Sequence, residues 1–178
     1  MPRPVLVLFA HPSFEKSRVH RQLTRAVRDL PDVTLHDLYE AYPDHDIDVK
    51  REQTLLVAHE VVVFQHPFYW YSVPPLLKQW MDLVLEHGWA YGSNGHALRG
   101  KTLQVAMTAG GREMAYGPDG FNRLTFREFL APVEATARLC GMTFNEPWVV
   151  AGTHAMTPAA IAQAAESYAA LIRRLGAR

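Results

Sequence analysis

In this chain of 178 residues, eighteen basic side chains balance eighteen acidic ones, so the formal net charge is zero. That balance argues against a nucleic-acid partner, which selects a basic excess, and against an acidic electron carrier that docks through its charge. Hydrophobic residues make up 48% of the chain, and its single cysteine, Cys140, excludes an intramolecular disulfide. The expectation is therefore one domain with a sizeable core in a reduced, cytoplasmic setting, with no bilayer span and no signal-peptide pattern at PRPVLVLFAHP.

The elements follow in order. Pro4 to Ala10 (PVLVLFA) is a continuous apolar run, the pattern of a strand covered on both faces. After the loop HPSFEKS, apolar residues at Val19, Leu23, Ala26, Val27 and Leu30 predict a helix from Arg18 to Leu30. Val33 to Leu38 alternates and predicts an edge strand, and Asp48 to Glu60 predicts a short helix. Val61 to Gln65 (VVVFQ) is a second fully buried strand, followed by Phe68-Tyr69-Trp70-Tyr71 and the pair Pro74-Pro75. Proline is tolerated in a first helical turn, and Leu76, Leu77, Trp80, Met81 and Val84 make the stripe of the helix that follows. Thr102 to Ala109 predicts a strand, Phe126 to Leu139 a helix and Thr143 to Ala151 a fifth strand. Thr157-Pro158 caps a last helix with Ile161, Ala165, Tyr168, Ile172 and Leu175 on one face.

Five strands alternating with helices predict an α/β fold: a doubly wound five-stranded parallel sheet with helices on both faces and right-handed crossovers. Ligands bind such sheets beyond the carboxyl ends of the strands. Three loops there carry unusual residues. AHPSFEKSRVH places Ser17 at a helix N-terminus, whose free amides suit a phosphate. FYWY offers flat apolar surface. TAGGR pairs Gly110 with Gly111, where backbone can approach a ligand closely. Singly these are a capped helix, a sheet end and a turn. Brought side by side by a parallel sheet, they describe a phosphate site and a planar platform in one crevice, which suits a flavin nucleotide.

The segments AHPSFEKSRVH, FQHPFYWYSVPPLLKQWMDLVLEHGWAYG and AMTAGGREMAYG resemble the flavodoxin-like NAD(P)H:quinone oxidoreductases. They are most similar to the bacterial branch that includes the ancillary subunits of Kef glutathione-gated potassium-efflux systems, and LHDLYEAYPDHDIDVKREQ extends that likeness over nearly the whole chain. The resemblance implies a flavodoxin-like fold and FMN, in preference to FAD. It implies that His11, Ser17, Arg18, Val19 and His20 hold the phosphate and ribityl chain, and that Phe68, Tyr69, Trp70 and Tyr71 line the ring. It puts Thr108, Ala109, Gly110 and Gly111 against the ring's opposite side. The family commonly has Asn where this chain has His20, and a second Thr where it has Ala109. Tyr116 matches a catalytic Tyr of the family, whereas Asn122 stands where relatives carry a His; Asn donates a hydrogen bond but exchanges no proton at neutral pH.

The implied reaction is a ping-pong hydride transfer from NAD(P)H, through the flavin, to a quinone. A regulatory subunit serving a membrane potassium-efflux protein, at the inner membrane through that partner, is the alternative. A one-electron flavodoxin fits less well, because the chain is not acidic and WAYGSNG extends the aromatic region. A homodimer is expected: beyond the stripe of Trp80 and Met81 that covers the sheet, Leu83, Leu85, Trp89 and Tyr91 supply further apolar surface for its seam. His36, His45, His59, His66, His87, His96 and His154 show no HxH or HExxH spacing, so no metal is expected.

Overall fold

A computed structural model describes residues 2–177. Strands β1 (Val5–Phe9), β2 (Val33–Asp37), β3 (Val61–Pro67), β4 (Thr102–Thr108), β5 (Thr143–Phe144) and β6 (Trp148–Val150) form one parallel sheet. Its order is β2-β1-β3-β4-β5, with β6 also pairing to β4. Helices α1 (Arg18–Val27) and α7 (Pro158–Gly176) cover one face, burying Val5, Val7, Val61 and Val63 with Tyr168 and Ile172. Helices α2 (Leu38–Ala41), α3 (Val49–Ala58), α4 (Pro75–Val84), α5 (Phe126–Phe129) and α6 (Ala131–Leu139) complete the chain. On the opposite face Leu6, Leu8, Val62, Phe64, Val105 and Met107 pack with Leu56, Trp80 and Val133. Alternate residues of one strand thus serve two cores, which is why β1, β3 and β4 are buried throughout.

Two expected elements are divided. The strand expected from Thr143 to Ala151 is two pieces. Leu103 pairs with Phe144 and Ala106 with Trp148, so three residues of the later segment oppose two of β4. The extra residue makes a bulge, and Pro147, which has no amide to give the ladder, lies within it. The helix expected from Phe126 to Leu139 is interrupted at Leu130, whose ψ is 7°. Pro132 is the cause: a proline ring collides with the carbonyl four residues back, here Glu128.

Beneath α3 and α4 lies a buried polar cluster. Glu52 is 0% exposed. Its Oε1 accepts from His36 Nε2 at 2.8 Å and from the Tyr42 hydroxyl at 2.6 Å, and its Oε2 accepts from Trp80 Nε1 at 2.8 Å. Burial by itself pushes the carboxyl up, but the donors together outweigh it and hold the group below its ordinary value.

Candidate functional site

The register of the sheet brings three strand ends level. Phe9 pairs with Gln65 and Pro67 with Thr108, the Ala10 amide donates to Gln65 O, and the Phe68 amide donates to Thr108 O at 2.7 Å. The loops that follow enclose a cleft of about 580 Å³, within the range of small-molecule sites. Its walls include His11, Ser17, Arg18, Val19, Phe68, Tyr69, Thr108 and Gly110 among the sequence candidates.

At one end stands the N-terminus of α1. The Ser17 hydroxyl oxygen accepts from the His20 amide at 3.1 Å and caps the helix. The Arg18 and Val19 amides, in the first turn, have no acceptor among the described residues. With Lys16 and Arg18 beside them, these amides offer an anion the positive end of the helix. His11 Nδ1 accepts from the Ser13 amide at 3.1 Å. Burial lowers the His11 pKa, so the ring is neutral and turns an Nε2–H donor outward.

At the other end the aromatic run does not form a continuous wall. The Tyr69 amide donates to Ser72 O and the Ser72 amide to Tyr69 O, while Trp70 and Tyr71 have φ of 47° and 63°. This is a type I′ turn built from bulky residues in the left-handed region, a costly conformation that occurs where surrounding structure over-determines it. It leaves the Trp70 and Tyr71 amides without partners among the described residues. The Phe68 and Tyr69 side chains line the cleft; Trp70 is 93% exposed, and Tyr71 stacks on Phe129 with centroids 5.0 Å apart.

The glycine loop closes the third side. The Ala109 amide donates to Val150 O at 2.8 Å and so belongs to the sheet, whereas the Gly110 and Gly111 amides have no acceptor among the described residues. A Cβ at Gly110 would stand 2.3 Å from His154 Nε2, and one at Gly111 would stand 3.0 Å from the Tyr116 hydroxyl. Tyr116 lies beyond the cleft, stacked on Phe126 at 3.9 Å, and burial raises its pKa, which keeps the hydroxyl a donor. Asn122 sits in the loop after it, its amide donating to Ala115 O. His20 does not line the cleft; it is 1% exposed and lies beneath Thr108.

Sequence reasoning missed Ser13, Lys16, Pro67, Thr153 and His154, which also line the cleft. The last two arrive on the loop after β6, tied down by Thr153 N to Ala109 O and Gly152 N to Gly111 O. Their only sequence signal is position after a fifth strand. Trp89 and Tyr91, expected at the dimer seam, are half-buried and pack against the core on the α4 side. Of the large side chains on the strand-end loops, Trp70, Phe121 and Met114 are the most exposed, with Tyr69, Tyr71 and Leu124 less so. Among the described residues, no group of three or more His, Cys, Asp or Glu is placed to hold a metal ion, and no helix is long and apolar enough to cross a membrane.

Comparison with known proteins meets this geometry. A family model described as "Flavodoxin-like fold" matches residues 3–172. The chain is 44% identical over 167 residues to the glutathione-regulated potassium-efflux system ancillary protein KefG of Pectobacterium carotovorum, covering 94% of this chain and 91% of that one. Among solved structures it is similar to general stress protein 14 of Treponema denticola in complex with FMN, at 39% identity and a TM-score of 0.91 over 96% of this chain and 98% of that one. It is also similar to an NADPH-quinone reductase of P. pentosaceus, at 30% identity and a TM-score of 0.86 over 94% and 96%. The chain thus belongs to the flavodoxin-like NAD(P)H:quinone oxidoreductase family, in the branch of the Kef ancillary proteins.

Proposed function

We propose that the protein is an FMN-dependent NAD(P)H:quinone oxidoreductase whose flavin occupies the cleft at the strand ends. One observation carries the reading: the free first-turn amides of α1 and the free Gly110 amide line a single cleft with Phe68 and Tyr69, and the free amides of Trp70, Tyr71 and Gly111 follow directly in the chain at its rim. They suit a molecule with an anion at one end and a planar polar ring at the other. FMN, once bound, supplies the hydride chemistry by which a nicotinamide reduces a quinone in two successive steps.

The chain's residues do the rest. Arg18, Lys16 and the first-turn amides hold the phosphate. Phe68 and Tyr69 give the ring an apolar contact and exclude water. The Gly110 and Gly111 amides stabilise charge that develops at the ring's polar edge. Tyr116 donates a hydrogen bond to the substrate from the mouth. The test is direct: purified protein is expected to be yellow, with about one FMN per chain in the denatured extract. An extract without flavin, together with a melting temperature that added FMN leaves unchanged, would refute the assignment.

Gly110→Val is expected to weaken FMN binding by at least about tenfold, the equivalent of roughly 1.4 kcal/mol. A branched side chain there both displaces His154 and stands in the cleft. His154 is exposed and swings aside, so the flavin-free variant is expected to melt close to the parent. Fluorescence titration with FMN checks the first expectation and calorimetry the second.

The exposed Trp70 (93%), Phe121 (88%) and Met114 (79%) on the strand-end loops support a homodimer that buries them in a two-fold seam. Light scattering is expected to give about twice the 20.1 kDa chain mass. Trp70→Ala with Phe121→Ala is expected to raise the dimer dissociation constant by about tenfold or more, since two aromatic anchors are lost. A parent particle of single-chain mass with full quinone reductase activity argues against the seam.

The 44% identity to KefG over 94% of the chain favours a second reading, in which the protein also serves a Kef-type membrane potassium-efflux protein as an ancillary subunit. Co-purification with the cytosolic portion of such a protein tests it.

A further inference from the structure

A line of four side chains runs from the core beneath α7 to the cleft. The Tyr168 hydroxyl lies 2.9 Å from Gln65 Oε1, Gln65 Nε2 lies 3.2 Å from His20 Nδ1, and His20 Nε2 lies 2.9 Å from Thr108 Oγ1. Tyr168 and Gln65 are 0% exposed and His20 is 1% exposed. Thr108 alone of the four lines the cleft.

The polarity of this line is decided at its far end. The phenolic proton of Tyr168 is buried, and Gln65 is its one hydrogen-bond partner among the described residues. Burial also drives the Tyr168 pKa far above its ordinary value, so the proton stays on. With the Gln65 amide turned round, an N–H would face the phenol oxygen and the phenolic proton would be stranded in the core without an acceptor. Gln65 Oε1 therefore accepts, and its NH₂ must donate to His20 Nδ1. A neutral imidazole that accepts at Nδ1 carries its proton on Nε2, and that proton goes to Thr108 Oγ1. Protonation of His20 would set two donors against each other at Gln65. Burial, with the neighbouring His11 and His66, holds the His20 pKa well below its ordinary value and disfavours that state. The Thr108 hydroxyl, having accepted from His20, keeps its own proton with no acceptor among the described residues, and the open side is the cleft.

We propose that His20 is a positioning residue which, locked by Gln65 and Tyr168, turns the Thr108 hydroxyl into a fixed hydrogen-bond donor aimed at an acceptor atom of the bound flavin. The target rests on the reading of the cleft as the FMN site; the line itself does not.

Nitrogen-15 NMR of the flavin-free protein is expected to show His20 as a single neutral tautomer, protonated at Nε2. Tyr168→Phe, which touches nothing in the cleft, is expected to abolish that single tautomer and to weaken FMN binding about threefold. Thr108→Val is expected to weaken it about tenfold, the scale of one lost hydrogen bond, and Thr108→Ser to restore near-parental binding. Because the line acts only through one hydroxyl, Thr108→Val with Tyr168→Phe is expected to bind no worse than Thr108→Val alone. A proton on His20 Nδ1, parental binding in Thr108→Val, or additive losses in the double variant would each overturn the proposal. A parent that binds no FMN overturns the cofactor reading and the donor's target together, while the NMR result still judges the tautomer.

Discussion

Glu52→Ala is expected to remove about 3–5 kcal/mol of stability, because three buried donors lose their one acceptor at about 1–3 kcal/mol each. The carboxylate is 0% exposed and satisfies three donors at once, His36 Nε2, the Tyr42 hydroxyl and Trp80 Nε1. Truncation leaves all three facing a cavity with no acceptor, and each buried donor left unmade carries its own desolvation penalty. A chain of this size has a total stability of about 5–15 kcal/mol, so the variant is expected to be marginal at 37 °C. The effect has a pH signature. The folded-state pKa of Glu52 is depressed, so its contribution is fully present above the unfolded value of about 4.3 and is lost as pH falls through the folded value. Urea unfolding at pH 7 and at pH 3.5 should therefore show the gap between parent and variant narrowing at the lower pH. A gap that is small at pH 7, or the same at both, would mean that the carboxyl is neutral in the fold.

His66 is expected to make the fold acid-labile over a different window. It is buried completely, its Nδ1–H donates to Pro67 O at 2.9 Å, and its Nε2 has no partner among the described residues. Burial brings its pKa down to about 4, although the Pro67 carbonyl pulls the other way. In the unfolded chain the ring titrates near about 6.5. Between those values the unfolded state binds a proton that the native state refuses, so stability falls with falling pH. At about 1.4 kcal/mol for each tenfold in proton affinity, the loss attributable to His66 amounts to about 3 kcal/mol on going from pH 7.5 to pH 4. His20 and His11, also buried with lowered pKa values, act in the same direction. His66→Met removes the orphaned nitrogen and its titration while filling similar space. Its denaturation curves at pH 7.5 and 4.5 are expected to lie closer together than the parent's by about 2–3 kcal/mol. Equal acid losses in parent and variant would place the lability elsewhere.

The runs PVLVLFA and VVVFQ declare buried strands because a strand covered on both faces has no polar side to alternate with. Helix starts at Ser17, Asp48 and Thr157 are equally legible, since each cap side chain accepts from an amide only three residues on. The parallel order, with its loops gathered beyond the carboxyl ends, follows from the alternation of strand and helix. These features depend on neighbours within a few positions, which is all that a linear reading resolves.

The remainder is non-local. Nothing in FYWY announces a turn, because Trp and Tyr are not left-handed formers; that conformation exists only where Phe68 is pinned to β4 and Tyr69 to Ser72. The same pinning turns Trp70 outward and gives Tyr71 to Phe129. Trp89 and Tyr91 look like seam residues in sequence and are half-buried against the α4-side core only because the chain after α4 doubles back onto that face. His154 and Lys16 enter the cleft from loops on either side of it, 138 positions apart. The hydrogen bonds from Tyr168 to Gln65 and from His20 to Thr108 join residues 103 and 88 positions apart. Local periodicity decides which face of an element is apolar. Which polar atoms meet at the end of a sheet is decided by strand register, and register exists only once the chain has folded.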